Sequence, residues 1–413
     1  MSMSAAPVAP ASAPAPAPAP VHSSRALYVL LLVVFINLVG FGLVIPLLPF
    51  YAKALNASPW QVTALFSAYS LGQFLAEPFW GRLSDRIGRR PVLIVTILAN
   101  TLSYIALAFA PSIAAAFVIR FFSGAASGNI STIQGYMADV TPPEKRAGRM
   151  GLLGSAFGAG FVVGPALGGL LAHPDAGRLG FQIPLFVAAG LAAAASLGVF
   201  LFVVESRAPR KDAPPPPPRR EALKAAFAHP VLSRVVMVTF VSTAAFSGME
   251  AIFGLWTSAR FGWGPQQVGL CFAVIGVVAS LGQGVLTGRL ARRFGEPKVL
   301  TTGLVIICLS MAITPFTPSG HLVPLFVGLT AFGQSLVFPC IAALISRATP
   351  PDQQGAMLGL NMAGGSLARM SGPMIAGPLF GVVAGGPYWF GALLTVPAIA
   401  LALAVGRRAK AAP

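Results

Sequence analysis

Four ionisable side chains interrupt long apolar stretches of this 413-residue chain: Glu77, Arg120, Glu250 and Arg369. A charge held in apolar surroundings costs about 3 kcal/mol or more, so such groups are kept for a task. Beside an arginine a glutamate stays ionised, whereas an apolar pocket favours its neutral form. A carboxylate that alternates between these surroundings carries a proton. Glu250 suits that role, with Arg120 tuning it and Arg369 as a second cation; a static Glu250–arginine ion pair is the alternative. Arg120 and Glu250 each lie about 7 residues inside an apolar run, roughly 10 Å at the helical rise, with Arg369 a little deeper. One acid and two bases thus share a depth and can meet if their helices face a common cavity.

Composition sets those surroundings. Apolar residues make up 55% of the chain, 9% are charged, and the mean hydropathy is +0.77. A soluble domain carries about 25% charged residues, so the solvent here is mostly lipid. Twelve spans of about 20 residues account for roughly 240 positions. The net charge of +17 sits in short gaps between apolar runs and never as a basic face, which excludes nucleic acid as a partner. Cys271, Cys308 and Cys340 lie inside apolar runs, and the four histidines fall in loops or the tail. That pattern gives neither a disulfide framework nor a metal site. No P-loop and no catalytic constellation occurs, so neither ATP nor another cofactor is expected, and the enzyme class is excluded; the proton gradient is the expected energy source.

An Ala/Pro tail, residues 1–24, reads as disordered. The first apolar run, Ala26 to Phe50, is too long for a signal peptide and reads as a retained transmembrane helix. Further runs follow at about 60–80, 91–110, 113–138, 150–172 and 181–204. Residues 205–230, rich in proline and arginine, form a polar linker. Six more runs lie at about 231–257, 265–287, 298–316, 321–346, 356–382 and 388–406, before a short tail at 407–413. With both termini cytoplasmic, inside segments hold 23 of the 28 Lys and Arg, as the positive-inside rule requires. The expectation is an all-α integral membrane protein of twelve transmembrane helices, a six-helix bundle at 25–204 and another at 231–406.

The two bundles are repeats. Ser70–Gln73 (SLGQ) recurs as Ser280–Gln283, Gly81–Leu93 as Gly288–Leu300, and Thr141–Glu144 as Thr349–Asp352. Parallel repeats place a pseudo-two-fold axis along the membrane normal and a substrate site between the halves near the midplane.

Three motifs carry a resemblance. The segment GRLSDRIGRR, from Gly81 through Asp85, Arg86, Gly88 and Arg89 to Arg90, resembles the loop between helices 2 and 3 of the major facilitator superfamily. Gly151, Gly160, Gly164-Pro165 and Gly168-Gly169 resemble the helix 5 motif of its proton antiporters. Arg120 and Gly124 resemble the helix 4 motif, and Asn37 to Pro49 resembles helix 1 of the twelve-span drug–proton antiporters, particularly bacterial tetracycline exporters. The resemblance implies that Asp85 sits near the start of helix 11, and that Asp139 partners one of the arginines. Together they make a latch that holds the halves in the outward-open state and releases for inward opening. A purely topological role for Arg89 and Arg90 is the alternative. The helix 5 glycines imply a tight seam between the halves; ordinary small-residue packing is the plainer reading.

This chain has Asn37 where tetracycline exporters carry an aspartate, so both the usual proton site and tetracycline itself are in question. Polar candidates for the substrate cavity are Asn37, Gln73, Asn129, Gln134, Gln334 and Asn361, with Tyr69, Phe246 and Trp256 as aromatic surfaces; helix-packing glue is the other reading for each. The expected function is proton-coupled efflux of a small amphipathic compound by a monomer in a bacterial inner membrane. A proton-coupled metabolite or sugar importer on the same fold is the alternative.

Overall fold

The computed structural model describes residues 24–206, 224, 227, 229–350 and 353–409. The Ala/Pro tail, most of the expected linker and residues 410–413 lie outside them. All regular structure among the described residues is helical. A bilayer demands this, because only helices and closed barrels satisfy every backbone group without water. Twelve principal helices follow the twelve runs: α1 (Ser24–Val44), α2 (Pro59–Ile87), α3 (Arg89–Ala108), α4 (Ile113–Asp139), α5 (Pro143–Leu171) and α6 (Gln182–Phe202), then α7 (Pro230–Phe261), α8 (Pro265–Phe294), α9 (Glu296–Ile313), α10 (Val323–Ala348), α11 (Gln354–Val382) and α12 (Gly386–Ala409).

Among the described residues nine helices are long and apolar enough to span a membrane, and α1 with its continuation makes ten. The other two, α2 and α11, are 29 residues each and lie at the junction of the halves, where polar side chains face protein rather than lipid. Outward-facing leucines such as Leu102, Leu197, Leu309 and Leu393 are more than half exposed or nearly so, as lipid contact allows. Three runs that read as continuous are interrupted. Past Val44, Pro46 and Pro49 remove backbone donors, and Leu48–Ala54 leaves at 44° to α1. In α4 the helix breaks at Ser127–Asn129. In α8 a wide turn at Gly282–Leu286 is held by the Thr287 hydroxyl, which donates to Gly282 O at 2.8 Å and Ser335 O at 3.0 Å.

Each half has its own core, α1–α6 around residues such as Leu43, Leu65, Ile97 and Ala192, α7–α12 around Phe253, Leu300, Val337 and Ala398. The halves meet along α5–α8 and α2–α11. This seam is closed at one end only. Near the short loops, a Cβ on Gly169 would stand 3.1 Å from Gly269 Cα, and one on Gly377 would meet Trp60 Cα at 2.8 Å. At mid-depth the Ser67 hydroxyl donates to Met370 O at 2.7 Å, and Gly158 faces Ser280. One and two turns further towards the arginine-rich end, Gly154 and Gly151 of α5 and Gly284 and Gly288 of α8 have no described neighbour within 4 Å of a Cβ position. These glycines continue the same helix faces, so α5 and α8 diverge there.

Candidate coupling site, cavity and latch

Glu250 lies on α7 between Met249 and Ala251, both fully enclosed. Its own side chain is half-buried, and among the described residues its carboxylate makes neither an ion pair nor a hydrogen bond. The backbones of α7 and α11 run close, since a Cβ on Gly248 would lie 3.2 Å from Gly372 O. Arg369 is also half-buried; it donates to the Ser366 hydroxyl at 2.9 Å, with Gly365 leaving room beneath its guanidinium. The carboxylates whose field it feels are Glu77 of α2 and Glu250 of α7. Arg120 departs from the expected meeting. It is 4% exposed, its guanidinium lies 4.4 Å above the Tyr69 ring, and the titratable groups nearest it in effect are Tyr69 and Tyr104. Equal depth did not bring Arg120 to Glu250, because it faces the tyrosines of its own half. A desolvated cation over an aromatic face gains about 2 kcal/mol, which offsets part of its burial.

The polar candidates divide. Asn37, Gln134, Gln334 and Phe246 are half-buried, while Gln73, Asn361 and Tyr69 are more deeply covered. Tyr69 packs against Phe41 with centroids 5.2 Å apart, so Arg120, Tyr69 and Phe41 form one stack. Carbonyl oxygens of Gln334 and Asn361 are enclosed without a partner among the described residues. Asn129 is removed from the cavity. It is 2% exposed and donates to the Thr96 hydroxyl at 2.7 Å, tying the break in α4 to α3; Asn100 does the same with Ser127 at 2.9 Å.

At the arginine-rich end Arg89 is the hub. It pairs with Asp85 at 2.7 Å and Asp139 at 3.3 Å, and donates to the Ser84 hydroxyl at 2.6 Å. Gly135 makes the space, since a Cβ there would sit 2.7 Å from the guanidinium carbon. Arg86 is exposed. Gly81 packs loosely against Ser131. Gly88 joins α2 to α3 at φ 105°, a conformation natural to glycine. Glu205, read from the sequence only as the start of a linker, occupies the space beside it. Its carboxylate accepts from the backbone N–H of Arg89 at 2.8 Å and of Arg90 at 3.1 Å, capping α3. Anions at a helix N-terminus are favoured by its unpaired N–H groups and dipole. Glu205→Ala is expected to cost about 1–2 kcal/mol of stability and Glu205→Gln less; thermal unfolding in detergent checks this, and an unchanged midpoint in both variants counts against the cap.

The second repeat carries a counterpart with reversed charge. Arg292, Glu296 and Arg347 stand where the first half has Asp85, Arg89 and Asp139, and Glu296 pairs with Arg347 at 2.6 Å.

Comparison with known proteins decides the family. The Major Facilitator Superfamily profile matches residues 30–287 and 235–413. The chain belongs to the major facilitator superfamily. It is therefore a multi-pass membrane transporter of small molecules, with the twelve-helix fold of that superfamily. The tetracycline resistance protein, class C, of Escherichia coli is 31% identical over 364 residues, 87% of this chain and 90% of that protein. Multidrug resistance protein 2 of Bacillus subtilis is 26% identical over 93% of this chain and 96% of its own length. The crystal structure of the human organic anion transporter MFSD10 superposes with a TM-score of 0.70 at 26% identity, covering 92% of this chain and 99% of that one.

Within this major facilitator protein the helix 5 glycines do two jobs. Gly160 packs on Leu38, Gly164 on Val39 and Gly42, and Gly168 on Leu43, all of α1 in the same half. Gly169 alone among the motif glycines meets α8 across the seam, and Gly151 has no described neighbour. The expected inter-half seam is therefore corrected: α5 turns one glycine face to α1, and a neighbouring face, with Gly158 and Gly169, to α8. Pro165 lies inside α5, where it packs on Gly42.

Proposed function

We propose that this chain exports small amphipathic compounds in exchange for protons, by alternating access, from a bacterial cytoplasm. The observation that carries the reading is Glu250: a half-buried carboxylate in the middle of α7, unpaired among the described residues, with Arg369 as the cation nearest in effect. Such a group is costly unless it gains and loses a proton in the transport cycle. The positive-inside rule favours a cytoplasmic arginine-rich end; on that reading both termini lie inside, and the divergence of α5 and α8 corresponds to an inward-open conformation. The tetracycline and multidrug resistance relatives support efflux of drug-like cargo. No resident cofactor enters the reading; the proton gradient drives transport.

Arg120 favours a second cargo class. It is a buried cation without an ion-paired carboxylate among the described residues, and one structural relative carries organic anions. The test is quenching of a pH-sensitive dye in inside-out vesicles, with tetracyclines, phenicols, lipophilic cations, organic anions and sugars added in turn. Dequenching by one class establishes proton antiport and names the cargo. Silence across the panel, with sugar- or metabolite-driven proton uptake in right-side-out vesicles, replaces export by import.

A further inference from the structure

Arg369 sits between two carboxylates at different depths. On α7, Glu250 lies two residues beyond Gly248, which touches Gly372 of α11; Glu250 is therefore level with a point about 7 Å further from the arginine-rich end than Arg369. On α2, Ser67 bonds to Met370, the residue after Arg369, and Glu77 lies ten residues on, about 15 Å nearer the arginine-rich end. Helical side chains lean towards the N-terminus of their own helix. For α11 that is the arginine-rich end, and for α2 it is the opposite end, so Arg369 and Glu77 lean towards each other and the gap narrows. Glu250 leans towards the depth of Arg369. The three charges thus form a ladder along the membrane normal, Glu250 then Arg369 then Glu77, on three helices and across the seam between halves. Arg369 makes no ion pair within 4.0 Å among the described residues; its bond to Ser366 is one that another rotamer replaces easily. Glu77 stands before Pro78, with its backbone against Gly128 at the break in α4, so its position is fixed by packing.

We propose that Glu77 is the exchange partner of Arg369: when Glu250 takes a proton from water, the guanidinium leaves the Ser366 hydroxyl and turns to Glu77. The inference rests on the reading of Glu250 as the proton site. One proton is added to a Glu250 oxygen, and Arg369 keeps its own proton. Besides these three, the titratable group facing Arg369 is Tyr69 of α2. The exchange links the charge state of the second half to a contact with the first. Glu77 is a positioning residue here, acting through Arg369.

Two measurements test it. In a structure of Glu250→Gln, which mimics the protonated carboxyl, Arg369 is expected within 4 Å of a Glu77 oxygen; a guanidinium still bonded to Ser366 overturns the proposal. In vesicles, Glu77→Gln is expected to lower uphill transport about ten-fold with cargo affinity kept, and Glu77→Asp to recover most of it. Wild-type uphill transport in Glu77→Gln also overturns it. The arms separate two failures. If the wild type moves no protons with any cargo, the export reading falls while the Glu250→Gln structure still decides the partner exchange. If the wild type is proton-coupled and both Glu77 tests are negative, only the exchange falls.

Discussion

Glu250→Gln is expected to abolish uphill transport while cargo still binds. The amide matches the carboxylate in size and keeps hydrogen-bonding capacity, but it takes no proton in this pH range. Since Glu250 makes no ion pair among the described residues, its replacement leaves no buried cation stripped of a direct partner, and Arg369 has Ser366 or, on the inference above, Glu77 to bond. Folding should therefore survive, which makes the loss interpretable. A proton-transfer group contributes about 100-fold or more where it acts, so cargo accumulation should fall to the level without a gradient. Glu250→Asp keeps the acid and should retain part of the activity. Uphill transport at the wild-type level in Glu250→Gln removes Glu250 from the mechanism.

Gly169→Val should drive the protein out of the conformation described above, in which the seam is open at the arginine-rich end. A Cβ on Gly169 already stands 2.5 Å from Pro265 O and 3.1 Å from Gln266 Cα. Valine adds two further methyl groups at a point where backbone faces backbone and nothing can rotate away. Overpacking of this kind costs about 1–3 kcal/mol. The crowded contact belongs to the closed end of the seam, and opening that end relieves it. The same energy thus becomes a shift of roughly 5- to 150-fold in the conformational ratio. Spin labels at Leu152 and Leu286, on α5 and α8 near the open end, should report a shorter distance as that end closes. An unchanged distance distribution means that α5 and α8 do not separate there during the cycle.

The spans were legible because lipid imposes a simple code: apolar runs of fixed length, with positive charge held to one side. α2 and α11, the least apolar of the twelve, were still found because charged or proline-rich segments bound them. The interruptions were not legible. The turn at Gly282 depends on Ser335 of another helix, and the break at Ser127 on Asn100 and Thr96. The site was legible in depth but not in azimuth. Counting residues put Arg120 level with Glu250, yet nothing in the count says which way a side chain turns about its helix, and Tyr69 lies on the face that Arg120 took. Glu205 was hidden for a different reason, since the N–H groups it caps are 116 and 115 residues upstream. A lone acid at the end of an apolar run, beside a chain rich in arginine, is the one signal that pointed to it.

The reversed charges of the two repeats bear on how the chain assembles. A duplicated sequence inserted helix by helix can pack its third helix against the tenth instead of the fourth, exchanging equivalent parts between halves. In that crossed arrangement Arg89 would face Arg347, and Glu296 would face Asp139. Each brace, attractive at 3.3 Å and 2.6 Å in the native pairing, would become a contact of like charges. The inversion therefore penalises the swapped topology while leaving the native one intact, a device against mispairing that identical repeats would lack.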